Sequence, residues 1–156
     1  MKARILLLLV TLFAAGQAQA WIAYGFKSGM SRFSVEGYLA DDSTLVVTGA
    51  EAETFAGPEN SRTLYHLVYC SSPQILYRMK FRLLDTHDEF VATKTKFERR
   101  YGTPESSGDV VAADSSEDWQ NTDVSLIWSI SDTETILLEH DRDGTTAEFQ
   151  DVSVCQ

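Results

Sequence analysis

Residues 62–104 read RTLYHLVYCSSPQILYRMKFRLLDTHDEFVATKTKFERRYGTP, and this run decides the fold. From Gln74 to Leu84, Ile75, Tyr77, Met79, Phe81 and Leu83 alternate with Leu76, Arg78, Lys80, Arg82 and Leu84. A period of two is that of a strand with one buried face. The apolar side must cover a core, and the three cations opposite point to water or to acidic partners. Thr63 to Cys70 divides in the same way, with Leu64, His66, Val68 and Cys70 on one face and Thr63, Tyr65, Leu67 and Tyr69 on the other. Ser71, Ser72 and Pro73 form the turn between the two strands. The period then changes. Asp85 or Thr86 caps a helix, Glu89 completes a capping box with Thr86, and Phe90, Val91, Phe97 and Tyr101 share one helical face. Arg99 and Arg100 suit the carbonyl end of the helix dipole, and Gly102 with Pro104 ends it.

Upstream, Trp21 to Phe26 starts the sheet as a short strand. Ser28 to Ala40 reads as a helix capped by Ser28 or Ser31, with Phe33, Val35, Tyr38 and Leu39 turned toward the core and Gly37 inside it. Asp41 to Ser43 turn the chain. Thr44 to Phe55 reads as one strand with a bulge at Gly49, and Ala56 to Ser61 is a loop. Downstream, residues 105–123 are rich in Ser, Asp and Gly and read as a long loop. Strands follow over Asp123 to Ile130, Thr135 to His140 and Thr145 to Val154, with Asp143-Gly144 as a hairpin turn. The fold class is therefore α+β: a two-layer sandwich of one antiparallel sheet with both helices on one face. The order repeats as helix plus three strands over residues 28–84 and 86–154, a repeat of order without residue-level identity.

Met1 to Ala20 has the layout of a cleavable signal peptide: Lys2 and Arg4, the apolar run Ile5 to Ala15, and Ala18-Gln19-Ala20 as the cleavage site. The run is too short to span a bilayer, which takes about 20 apolar residues. Residues 21–156 then form a single exported domain, expected in a bacterial periplasm. The chain carries 13 Lys and Arg against 23 Asp and Glu, a net charge of −10. Residues 101–156 hold thirteen of the acids and Arg142 as the one cation. Nucleic acid and anionic lipid need cationic patches, so this balance argues against both. A basic protein partner, a divalent cation or simple solubility suits it.

Cys70 and Cys155 are the only cysteines, and export makes a disulfide the default. A redox role would want CxxC spacing, which is absent. Glu139, Asp141, Asp143 and Gly144 match part of a calcium-loop pattern, but Glu replaces Asp at its first place and Gln150 stands where a bidentate carboxylate belongs. A hairpin turn explains the same residues. His66 reads as a satisfied strand residue, and His87 and His140 as exposed. No histidine pair has zinc spacing, no GxSxG elbow occurs, and the serines fall in turns and caps. No catalytic residue, cofactor site or metal ligand is assigned, and the chain is not read as an enzyme. Trp128 belongs to a strand and the core. Trp119, in the acidic loop, has two readings: an exposed contact anchor, or a ring folded back over the sheet edge.

The Gly-Met-Ser helix start at Gly29, the strand ending in Cys70, the aromatic strand Tyr77 to Phe81, the segment FERRYGTP from Phe97 to Pro104 and a late Trp-containing hairpin carry a resemblance. The chain resembles small proteobacterial periplasmic proteins of uncharacterised function. It is also similar to the helix-plus-antiparallel-sheet units of the β-lactamase inhibitor protein and of outer-membrane-assembly small lipoproteins. The resemblance implies binding through a sheet face or loops, without catalysis. The lipobox cysteine of those lipoproteins is absent here. The expectation is a periplasmic protein-binding or accessory module meeting an envelope protein through Trp119, Glu117 and Asp118. The alternative is a small-molecule or calcium-binding periplasmic protein, and an enzyme of unknown type is the third reading.

Overall fold

The computed structural model describes residues 22–59, 63–108 and 119–156. The signal-peptide pattern of Met1 to Ala20, Trp21, and the loop residues Glu117 and Asp118 lie outside the described residues. The elements are β1 (Ile22–Ala23), β2 (Phe26–Lys27), α1 (Arg32–Ala40), β3 (Leu45–Ala50), β4 (Glu53–Pro58), β5 (Tyr65–Tyr69) and β6 (Leu76–Arg82) in the first part. Then come α2 (His87–Tyr101), β7 (Glu105–Gly108), β8 (Val124–Ser129), β9 (Glu134–Asp141) and β10 (Gly144–Asp151), with short 3-10 turns at Trp119–Asn121 and Val152–Cys155. The architecture is the α+β sandwich expected from the sequence: one eight-stranded antiparallel sheet in the order β3-β4-β5-β6-β10-β9-β8-β7, with a helical layer on one face.

Each half is a helix followed by a four-stranded meander, and the halves join where β6 pairs antiparallel with β10, Lys80 opposite Glu148. The repeat is thus helix plus four strands, not helix plus three. Two strands were missed. The segment read as one strand from Thr44 to Phe55 is a hairpin, turning at Glu51 and Ala52 between Ala50 and Glu53. Glu51 sits at φ +43°, a conformation that Gly or Asn would normally mark. Tertiary hydrogen bonds hold the turn instead, since Arg32 Nη1 and Gln74 Nε2 both donate to the Glu51 carbonyl. The other missed strand is β7, in the stretch read as loop, which pairs along β8 from Glu105↔Ile127 to Gly108↔Val124.

The buried face of the sheet is a row in register across six strands: Thr54, Leu67, Met79, Phe149, Ile136 and Trp128, all buried. Phe97 of α2 meets Trp128 and Phe149 edge-on at 5.5 Å each. The capping box holds as expected, with the Thr86 side chain accepting from the Glu89 N–H, and Gly102 ends α2 at φ +87°. Ser31 caps α1, whose Val35 and Leu39 reach the core. Phe33 does not: it is 89% exposed, and Tyr38 is about half exposed. In nine residues, α1 can turn only one narrow stripe inward.

The first aromatic segment does not extend the sheet. β1 and β2 form their own two-stranded ribbon in the helical layer, where Tyr24 stacks on Phe81 at 4.1 Å and lies under Lys96. Burial pushes the Tyr24 phenol up to about 12. Cys70 and Cys155 are joined as a disulfide, tying the end of β5 to the C-terminal turn.

Two expectations follow. The disulfide closes 85 residues of chain, so Cys155→Ser should lower unfolding free energy by about 2–5 kcal/mol, read from denaturant titration. A loss under about 1 kcal/mol would mean the cross-link constrains the unfolded chain little. Glu51→Gly removes a left-handed non-glycine residue and should stabilise by about 0.5–1 kcal/mol in the same assay. A lower midpoint would show that the Glu51 side chain contributes more than its backbone conformation costs.

Candidate functional site

The face of the sheet opposite the helices is the candidate site. Strand alternation turns one residue in two toward it, and the pairings align them in a row crossing all eight strands: Thr48, Phe55, His66, Lys80, Glu148, Leu137, Ile127 and Glu105. A neighbouring row runs Glu53, Val68, Arg78, Gln150, Thr135 and Ser129. Most of these side chains are half-buried or exposed.

Charge on this face is ordered. Arg78, Lys80 and Arg82 form a cationic ridge along β6, as their alternation foretold. Acids of the second half face it, and Lys80 Nζ lies 3.6 Å from Glu139 Oε2. Arg82 donates through Nη1 to the Asp143 carbonyl, which fixes the guanidinium beside the β9–β10 turn. On the first half, the Phe55 and His66 rings stack nearly parallel, 13° apart with centroids at 4.5 Å. His66 Nε2 is 3.5 Å from Glu53 Oε1. Two hollows open here and share Phe55 and Thr63. One, of about 180 Å³, is floored by Leu64, His66, Lys80 and Arg82. The other, of about 300 Å³, lies against Val46, Thr48 and Pro58.

The residues singled out from the sequence fall elsewhere. Trp119 takes the second of its two readings: it is 5% exposed and stacks on His140 at 3.7 Å, with Phe90 and His87 around it. Its ring therefore cannot serve as the contact anchor. His140, expected to be exposed, is 2% exposed. Its Nε2–H donates to the Trp119 carbonyl at 2.9 Å, and the Thr145 hydroxyl lies 2.9 Å from Nδ1, with Asp85 Oδ1 at 3.4 Å. The group looks like a catalytic triad in composition, but Thr145 is fully buried and both ring nitrogens are occupied. It locks the Trp119 turn onto the β9–β10 hairpin. Alternation of β9 placed His140 in line with Ile136 and Leu138, and that signal could have found it.

Around Asp143-Gly144, the Asp141 carboxylate accepts the Asp143 N–H at 2.8 Å, while Glu139 points to the open face. Among the described residues no group of three or more His, Cys, Asp or Glu is placed to hold a metal ion. No helix among them is long and apolar enough to cross a membrane. Sequence reasoning also missed Glu134 and Asp151, paired across β9 and β10 and each 3% exposed. Asp151 is satisfied by Ser28 and Ser153. Burial raises the Glu134 carboxyl above its ordinary 4.5, helped by the charge of Asp151 and opposed by Arg100. Searches against known protein families, curated proteins and solved structures return no match for the chain.

The raised Glu134 carboxyl has a definite sign. The folded state holds the proton more tightly than the unfolded one, so this group's contribution to stability falls as pH rises from 4.5 through the raised value. Glu134→Gln should therefore raise the melting temperature at neutral pH, with the gain shrinking as pH approaches 4.5. Thermal melts of both proteins across that range test this, and a gain independent of pH would exclude ionisation of the Glu134 carboxyl as its source.

Proposed function

We propose that the protein is a non-catalytic binding or accessory module of the periplasm that engages an envelope protein through the open face of its sheet. The observation that carries this reading is the eight-strand row from Thr48 to Glu105, which lies on the face without helices. A rigid antiparallel sheet presents side chains at fixed spacing, so such a face recognises a surface at little entropic cost. Its mixture suits a protein partner: aromatic and aliphatic groups at Phe55, Leu137 and Ile127, with charges of both signs between them. Export is proposed from the Met1 to Ala20 pattern and is supported by the disulfide, which persists in oxidising compartments.

The resemblance to helix-plus-sheet units of the β-lactamase inhibitor protein supports binding by the same kind of surface. Since Trp119 points inward, the partner contact is assigned here to the sheet face. Glu117 and Asp118 keep the accessory contact role expected from the sequence. Nothing in this reading calls for a cofactor, a nucleic acid or a membrane span.

Photo-crosslinking residues placed singly at Phe55, Ile127 and Phe33 in the exported protein test the proposal in intact cells. Phe55 and Ile127 lie on the open face, whereas Phe33 lies on α1 and is more exposed than either. The expected result is one reproducible partner linked at Phe55 or Ile127 and not at Phe33. Ile127→Arg should weaken that capture by about tenfold or more. Equal yield from Phe33, or no partner from the open-face positions, would remove the sheet face from the proposal.

A further inference from the structure

We infer that the joined hollows at Phe55 bind a small organic anion, its carboxylate or phosphate head between Lys80, Arg82 and His66 and its apolar body along Phe55 toward Val46. The site lies on the open face but does not depend on a protein partner. Size comes first. Hollows of about 180 and 300 Å³ meet at Phe55 and Thr63, and together they have the volume of an ordinary small-molecule site.

The two ends differ in chemistry. At one end, β5 and β6 bring His66 opposite Lys80, with Arg82 two residues along. Lys80 and Arg82 are the two cations here, bordered by Glu53, Glu139 and Glu148, and such side chains hold oxyanions by charge-assisted hydrogen bonds. At the other end Val46, Phe55, Ala56 and Pro58 supply apolar lining, with Val46 49% exposed, while Thr48, Thr63 and Glu59 stand at its margin. A bare phosphate would leave that end unused.

The hydrogen bonds at the cationic end are incomplete. His66 Nε2 and Arg82 Nε are both buried and make no hydrogen bond, the acceptor beside His66 Nε2 being Glu53 Oε1 at 3.5 Å. Buried polar nitrogens left in this state are uncommon, and Arg82 Nε–H is a donor whose water folding has removed without supplying an acceptor. Two such nitrogens belong to residues lining one hollow. Glu53, at 3.5 Å from His66 Nε2, is too far for a good bond, and Glu139 holds Lys80 only at 3.6 Å. An oxyanion entering the hollow supplies the missing acceptors and draws Lys80 Nζ toward it. Arg82 is already oriented by the Asp143 carbonyl. Its remaining N–H groups favour a planar or tetrahedral oxyanion over a neutral ligand.

The test is isothermal titration of the purified protein with phenyl phosphate, benzoate, inorganic phosphate and benzyl alcohol. One saturable site for phenyl phosphate or benzoate is expected, and whichever binds tighter identifies the head group. Inorganic phosphate should bind about tenfold more weakly, and benzyl alcohol not measurably. Lys80→Gln and Arg82→Gln should each cost about tenfold in affinity. Should either variant unfold, amide chemical-shift changes in the unaltered protein must centre on Phe55, His66 and Lys80. No saturable binding by either organic anion, shifts centred elsewhere, unchanged affinity in folded Lys80→Gln and Arg82→Gln, or equal affinity for inorganic phosphate would overturn the inference. Because no partner is present, the outcome is separate from that of the crosslinking experiment.

Discussion

The antiparallel pairing of β6 with β10 is the contact on which the rest of the molecule depends. It brings together strands about seventy residues apart in the chain and turns two four-stranded meanders into one eight-stranded sheet. Register here sets the faces. A slip of one residue would move Met79 and Phe149 out of the core and put Lys80 and Glu148 into it, so the apolar pattern of both strands enforces the observed alignment. The disulfide acts on the same problem from the unfolded side, because it shortens the search that brings the end of the central hairpin to the end of the chain.

From that register follow two unlike surfaces. On one, Phe97 wedges between Trp128 and Phe149, and the β1–β2 ribbon fills the helical layer through Phe26 and Tyr24. Buried aromatic contacts of this kind make the face rigid. On the other, most side chains are half-buried or exposed, so packing restricts their charge and shape less. The acidic second half then has a structural consequence. Its carboxylates at Glu139 and Glu148 border the β6 cations across the joint, and the two halves are charge-complementary where they meet.

The proposed binding through the sheet and the proposed anion site at Phe55 draw on the same geometry. Side chains fixed on a twisted, hydrogen-bonded lattice keep their spacing without a ligand, and the hollows arise where small residues such as Gly57 and Thr63 adjoin Phe55. The His140–Trp119 stack gives the far side of the sheet a closed, buried finish. The two proposed recognition surfaces therefore share the open face, the anion site lying at its β3–β6 end.

Much of this was legible in the residues themselves. Alternation over Gln74 to Leu84, the Thr86 and Glu89 capping box, the Gly102 stop and the Asp143-Gly144 turn each rest on interactions within a few residues, and the cysteine pair on there being two cysteines. What escaped reading depends on distant partners. The Glu51 turn lacks turn residues and stands because Arg32 and Gln74 bond its carbonyl. Glu105–Gly108 is a strand because β8 offers an unpaired edge, not because Ser and Gly favour one. Phe33 stays outside, while Trp119 goes inside, because helix length and the His140 ring decide which apolar groups find cover. The sequence by itself determined both helices, the central and C-terminal strands, the sheet's apolar side and the α+β class, since periodicity is a local property of the chain. Only the tertiary structure decided the strand order, the joint at β6 and β10 and the cationic hollow at Phe55, since these come from residues that meet only when the sheet closes.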